Sequence, residues 1–182
     1  MRYDREQIVA FSFVLLSIGS AVYISAASLN YLGLYPALAE VQVQLTKVTF
    51  LQNPNNISQS TLNTYVNVSN PARYSGLRIG RISVTIFLYA ETNRSITLFG
   101  PPNTLIASPT ISAPLPSDSV YSAIIPAELT PQLTNQTVSF INDHANGVGV
   151  EVTYTVDILT FLESVTGSVI YTDTRDVPLS SS

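Results

Sequence analysis

Between Glu6 and Glu40 the chain carries no charged residue, and from Ile8 to Leu34 it is mostly apolar. This run constrains the molecule more than any other stretch. A helix rises about 1.5 Å per residue, so roughly 20 residues cross a hydrocarbon layer of about 30 Å. In lipid a helix also satisfies every backbone N–H and C=O from within the segment. A cleavable signal sequence has an apolar region of only about 7–15 residues, and a buried helix of a soluble domain is usually about 10–14 residues long. The length therefore predicts a retained transmembrane helix over residues 8–35. Residues 1–7 precede it and 36–40 form a linker, with a single domain over 41–182.

Orientation follows from the flanking cations. Arg2 and Arg5 precede the helix, and no Lys or Arg follows until Lys47. Because Lys and Arg are retained on the cytoplasmic side, the N-terminus is expected inside and the domain outside the cell membrane. Tyr31 and Tyr35 are expected at the outer interface, with Pro36 ending the helix. Ser17, Ala21 and Ser25 recur at every fourth position and form a candidate helix-packing face, since small side chains let a second helix approach closely.

The residues after the helix, about 145 of them, suffice for one domain with its own core. The chain has no cysteine, so packing and strand pairing must hold that domain without disulfides. Charged residues are only 11% of the chain and the net charge is -4. That balance excludes a basic nucleic-acid-binding surface, because phosphate backbones are bound through clustered Lys and Arg.

Strand periodicity dominates the remainder. Val41, Val43 and Leu45 alternate, then the phase slips to Val48 and Phe50, which predicts a bulge near Thr46-Lys47. Asn53-Pro54-Asn55-Asn56 is a turn cluster. Leu62, Val66 and Val68 share one face of a second strand, stopped by Asn70-Pro71. Residues 72–80 read as an irregular crossing, and Ile82 to Leu88 as a third strand with a partner over 95–99. The proline-rich stretch from Gly100 to Ser119 reads as a long loop with at most edge pairing. Val120 to Ile125 is the next strand. Thr130-Pro131 then supplies an N-cap and a first-turn proline for a short helix ending near Asn146-Gly147. Leu129, Leu133, Phe140 and Ile141 would form its apolar face. Val148 to Ile158 is the longest alternating run in the chain, and Val165 to Tyr171 closes a hairpin with it. The pattern predicts a mainly β domain: a two-sheet antiparallel β-sandwich, immunoglobulin-like, with one short helix.

The segment Tyr65-Val66-Asn67-Val68-Ser69-Asn70-Pro71, followed by Leu77-Arg78-Ile79-Gly80 and the strand Ile82 to Tyr89, resembles the group 2 late embryogenesis abundant family, also called the water-stress and hypersensitive-response domain. Pro126-Ala127, the short helix and Gly167-Ser168-Val169 stand where that family's turn, helix and closing strand are expected. The resemblance implies a late-embryogenesis-abundant-like sandwich without enzymatic activity, often in a membrane-anchored form. The membrane-anchored sandwich subunit of archaeal surface motility machinery shares the architecture and is the alternative.

Catalytic chemistry has few candidates. His144 is the only histidine, so a His/Cys metal site is excluded and a Ser-His-Asp triad would require this one residue. Its position at a helix end gives it a structural role. No glycine-rich phosphate loop occurs. Glu163, Asp173 and Asp176 have no metal-loop spacing and read as solvated carboxylates. No catalytic residue, metal or cofactor is expected. Asn56, Asn67, Asn93 and Asn135 each open an Asn-x-Ser/Thr sequon and are candidate N-glycosylation sites on an external domain. The expected role is a structural or assembly subunit of the cell envelope or a membrane complex, with membrane lipid at 8–35 and protein partners or a homo-oligomer. A stress-protective domain acting on membrane surfaces or unfolded clients is the second expectation.

Overall fold

The computed structural model describes residues 4–53, 60–100, 104–144, 147–160 and 168–181. Outside these lie Asn56 with most of its turn cluster, Asn146, Glu163 and Gly167. Helix α1 spans Arg5–Glu40, about 54 Å at the usual rise, and is apolar around its whole circumference. It is long and apolar enough to cross a membrane. Pro36 does not end it, and no linker follows. The helix runs on through 36–40, and Leu34, Ala37 and Leu38 are buried in the domain's core. Packing against the sandwich holds the last turns helical despite the proline. Tyr35 is exposed, while the Tyr31 side chain lies outside the described residues.

The domain is a sandwich of two sheets with one short helix. The first sheet has the order β10-β1-β2-β7, formed by Leu179–Ser181, Gln42–Leu51, Thr61–Asn70 and Ser119–Glu128. The second has β4-β3-β8-β9, formed by Asn93–Phe99, Leu77–Ala90, Val148–Thr160 and Ser168–Val177; the short strands β5 (Leu105–Ala107) and β6 (Thr110–Leu115) also pair with β3. All ladders are antiparallel except β1 with β10.

Inward positions alternate as the sequence does. Leu62, Val66 and Val68 of β2 face Val84, Ile86 and Leu88 of β3 and Val150, Val152 and Val156 of β8 across one buried cluster. The expected bulge in β1 falls between Leu45 and Lys47. A second bulge lies between Ile79 and Arg81, so Ile79 and Ile82 both point inward although three residues apart. Gly80 sits at that slip, where an added Cβ would stand 3.0 Å from Leu159 Cδ1. This bulge makes the start of β3 look irregular in sequence.

Within the expected proline-rich loop, β5 and β6 are strands that hydrogen-bond to the edge of β3 left free beyond β4. Pro126-Ala127 is no turn; both residues lie inside β7, an edge strand where a missing donor is tolerated. Helix α2 spans Pro131–Asp143, with Thr130 Oγ1 accepting from the Leu133 N–H at 3.3 Å. Its fully buried residues are Thr134 and Thr137. Leu133 and Ile141 pack beside them, and Leu129 is buried just before the helix.

Two buried hydroxyls, those of Thr49 and Thr64, make no hydrogen bond among the described residues. Thr64, fully buried between Leu62 and Val66, leaves Oγ1 without a partner. A desolvated, unpaired hydroxyl is unfavourable, and valine has nearly the same shape. Thr64→Val is expected to stabilise the domain by about 1 kcal/mol, read as a higher urea midpoint at unchanged slope.

Candidate functional site

The strands fix two ends of the sandwich. α1 enters at the end where β1 begins, β2 finishes and β3 starts; α2 and the β3–β4 turn lie at the other. The helix is locked to its end by two tyrosines. The Tyr171 hydroxyl on β9 donates to the Leu38 carbonyl. The Tyr74 ring lies against α1 at Gly33, where an added Cβ would be 3.1 Å from Tyr74 Cδ2. The loop carrying Tyr74 is itself pinned. Asn70 Nδ2 donates to the carbonyls of Tyr74, Leu115 and Pro116 at 2.8, 3.2 and 3.1 Å, and its Oδ1 accepts the Ala72 N–H at 3.2 Å. The Asn-Pro pair thus ties β2, the crossing and the β6–β7 turn together.

Beside this junction the two sheets separate. β9 continues past Pro178 into β10, which crosses to the first sheet and pairs with β1 only at Val48–Phe50. Below that crossing Gln42 to Leu45 and Lys47 have ladder partners on the β2 side alone, Thr46 is bulged out of the ladder, and β9 pairs only with β8. Between these bare edges runs an open groove of about 520 Å³, lined by Gln42, Gln44, Tyr154, Tyr171, Asp173 and Arg175 among others.

Asp173 and Arg175 guard the β9 side. Arg175 Nε donates to Asp173 Oδ2 at 2.9 Å and the Thr174 N–H to Oδ1 at 2.8 Å. These bonds, the arginine's first, hold the Asp173 carboxyl below its usual range. Inward-pointing charge on an edge strand discourages pairing. On the β1 side, Gln42 to Thr46 carry no charge.

A second polar cluster occupies the far end of the outer face. Arg94 Nη2 donates to Asp176 Oδ2 at 2.7 Å and to the Tyr89 hydroxyl at 2.9 Å; that hydroxyl donates to Asp176 Oδ1 at 3.0 Å. The guanidinium stands 4.6 Å from the Tyr89 ring centroid. Gly149, opposite Tyr89 in the ladder, leaves the ring its place, since a Cβ there would overlap it. The hydrogen bonds from Arg94 and then Tyr89 lower the Asp176 pKa. Burial, first among its causes, raises that of Tyr89, as it does for Tyr154 and Tyr171.

These shifts have opposite pH signatures. Depressed folded carboxylates contribute stability above the unfolded value of about 3.9 that is lost as pH falls through the folded pKa. Raised tyrosines contribute stability present below about 10 that is lost as pH rises through their folded pKa. Urea midpoints are expected to fall below pH 4 and above pH 10, and Asp176→Asn is expected to flatten the acid limb.

The expected site residues do not converge. Asp173 and Asp176 project from opposite faces of β9, and Glu163 lies outside the described residues; no metal-competent cluster of His, Cys, Asp and Glu occurs among the described residues. His144 caps α2: its Nδ1 lies 2.8 Å from the Phe140 carbonyl and its ring centroid 4.3 Å from that of Phe140. Ser17, Ala21 and Ser25 are exposed along α1, with Ser17 Oγ donating back to the Phe13 carbonyl at 2.9 Å. Asn67 is half-buried on the outer face of β2, while Asn93 at the start of β4 and Asn135 in α2 are exposed. The groove was not legible in the sequence, because the β9-to-β10 crossing that creates it carries only Pro178 as a mark.

No family model matches this sequence, and no curated protein matches it. Solved structures with a similar fold include a protein from Archaeoglobus fulgidus, at 11% identity and TM-score 0.41 over 73% of this chain and 94% of that one. A protein from Arabidopsis thaliana aligns at 12% identity and TM-score 0.38, over 78% of this chain and 79% of the other. A late embryogenesis abundant (LEA) protein aligns at 22% identity and TM-score 0.31, over 88% and 89%. The likeness is one of fold at low identity.

Proposed function

We propose that this chain is a single-pass membrane protein, N-terminus inside, whose external sandwich acts without catalysis as an assembly subunit of the cell envelope or of a membrane complex. The observation that carries the reading is the uncharged, unpaired edge of β1 at Gln42 to Thr46, opening onto a groove directly beyond the anchor helix. A bare strand edge offers backbone donors and acceptors to an extended partner segment, and alternate side chains of that segment enter the groove. The sole histidine is engaged as a helix cap and there is no cysteine, which supports a non-catalytic role. Kinship with the late embryogenesis abundant domain belongs to the same reading, supported by the Asn70-Pro71 turn, which is a built knot here. Glycosylation at Asn93 and Asn135 accords with their exposure.

The test is mild-detergent extraction from native membranes followed by light scattering. A homo-oligomer or stoichiometric complex, dissolved by the paired substitution Gln42→Lys with Gln44→Lys at unchanged melting temperature, supports the reading. A monodisperse, partner-free chain overturns it.

A further inference from the structure

The domain's seat on the membrane can be read from where the helix leaves lipid. Apolar side chains of α1 are exposed from Ile8 to Ile24 and again at Leu32, and burial against the sandwich begins at Leu34. If the hydrocarbon run opens at Ile8, about 20 residues carry the chain through it by residue 27. Gly33 follows about 9 Å later, just beyond a headgroup layer that is about 5–7 Å deep. Tyr74 lies against the helix at that level, so the 71–76 crossing is held just outside the headgroups, within an arginine side chain's reach of them, by Gly33, by the buried Ala72 and by the Asn70 bonds.

Arg73 stands on this crossing, exposed and without an ion pair among the described residues. Elsewhere in the domain arginines are matched: Arg81 with Asp157, Arg94 with Asp176, Arg175 with Asp173. Arg78, two residues beyond Gly76, donates only to Ser112 Oγ at 3.3 Å. The unmatched guanidinium groups are therefore at the helix end of the sandwich. Exposed Glu40 and Asp118 share that end, so its attraction is local, through the fork of a guanidinium on phosphate, and not through net charge. An arginine at this height lays its stem along apolar surface and its head among phosphates.

We propose that Arg73, backed by Arg78, binds lipid phosphate and seats the domain on the bilayer at a fixed height. The inference rests on the membrane-anchored reading and extends it from a tether to a docked platform. It leaves the β1 groove close above the lipid surface, facing whatever else emerges from the same leaflet.

The absence of cysteine permits a direct test with spin labels at single introduced cysteines, using the full chain in phosphatidylcholine vesicles containing phosphatidylglycerol. Reporters are placed at Ser75, beside Arg73; at Leu16, within the helix; and at Ser95, on β4 at the opposite end. The Ser75 label is expected to be several-fold more accessible to dissolved oxygen, relative to a water-soluble nickel chelate, than the Ser95 label. Arg73→Gln is expected to shift the Ser75 label toward the Ser95 value and leave the Leu16 label unchanged. A Leu16 label buried in lipid with equal Ser75 and Ser95 labels, or a Ser75 label indifferent to Arg73→Gln, overturns the phosphate seat alone. A water-exposed Leu16 label overturns the anchor itself.

Discussion

Asn70→Ala is expected to lower the stability of the domain by about 3–5 kcal/mol. The side chain is fully buried and serves three carbonyls and one N–H that lie on two segments besides its own strand. Truncation leaves those groups desolvated and unpaired, at about 1–3 kcal/mol for each one that finds no new partner. A domain of this size has roughly 5–15 kcal/mol in all, so the loss approaches a substantial fraction of the total. Thermal melting followed by far-ultraviolet circular dichroism should show the midpoint falling by about 10–20 °C. Asn70→Asp is expected to be no better at neutral pH, because it presents a carboxylate where two N–H groups had served carbonyls. A melting temperature within about 2 °C of the parent chain would show that the knot does not organise this end of the fold.

The second large effect concerns the anchor. Leu16 and Ile18 lie near the middle of the exposed apolar length of α1, far from the buried turns at Leu34 and Leu38. An arginine at the centre of a membrane helix disfavours insertion by about 2.5–3.5 kcal/mol, so Leu16→Arg with Ile18→Arg removes roughly 5–7 kcal/mol of insertion free energy. The doubly substituted chain should pass from the membrane pellet to the supernatant on alkaline carbonate extraction. Its near-ultraviolet circular dichroism should be unchanged, because neither position touches the sandwich. Retention in the pellet would show that the helix is held by protein contacts and not by lipid.

Much of this architecture is legible in the residues. The uncharged run gives α1, the slip from Leu45 to Val48 gives the β1 bulge, Thr130-Pro131 gives the start of α2, and the long alternation gives β8. What escapes a one-dimensional reading depends on tertiary partners. Pro36 would end an isolated helix, yet Leu34, Ala37 and Leu38 gain more by packing into the core than the proline disrupts. Ile79 and Ile82 break the two-residue period because Gly80 bulges, so the first residues of β3 read as irregular. β5, β6 and β10 are too short and proline-flanked to show a period at all, and each exists because a longer strand offers it an edge. The candidate site suffers most. The groove is made by β10 leaving one sheet for the other, and the phosphate-facing arginine is marked only by its missing partner.

Cysteine accessibility on intact cells tests the anchored, outward-facing arrangement most directly, since the natural chain contributes no thiol of its own. With Ser95→Cys, a membrane-impermeant maleimide should label the protein in sealed cells; with Gln7→Cys, it should react only after permeabilisation. Labelling of both positions in sealed cells, or of Gln7→Cys alone, would contradict a single helix that crosses the membrane and holds the sandwich outside.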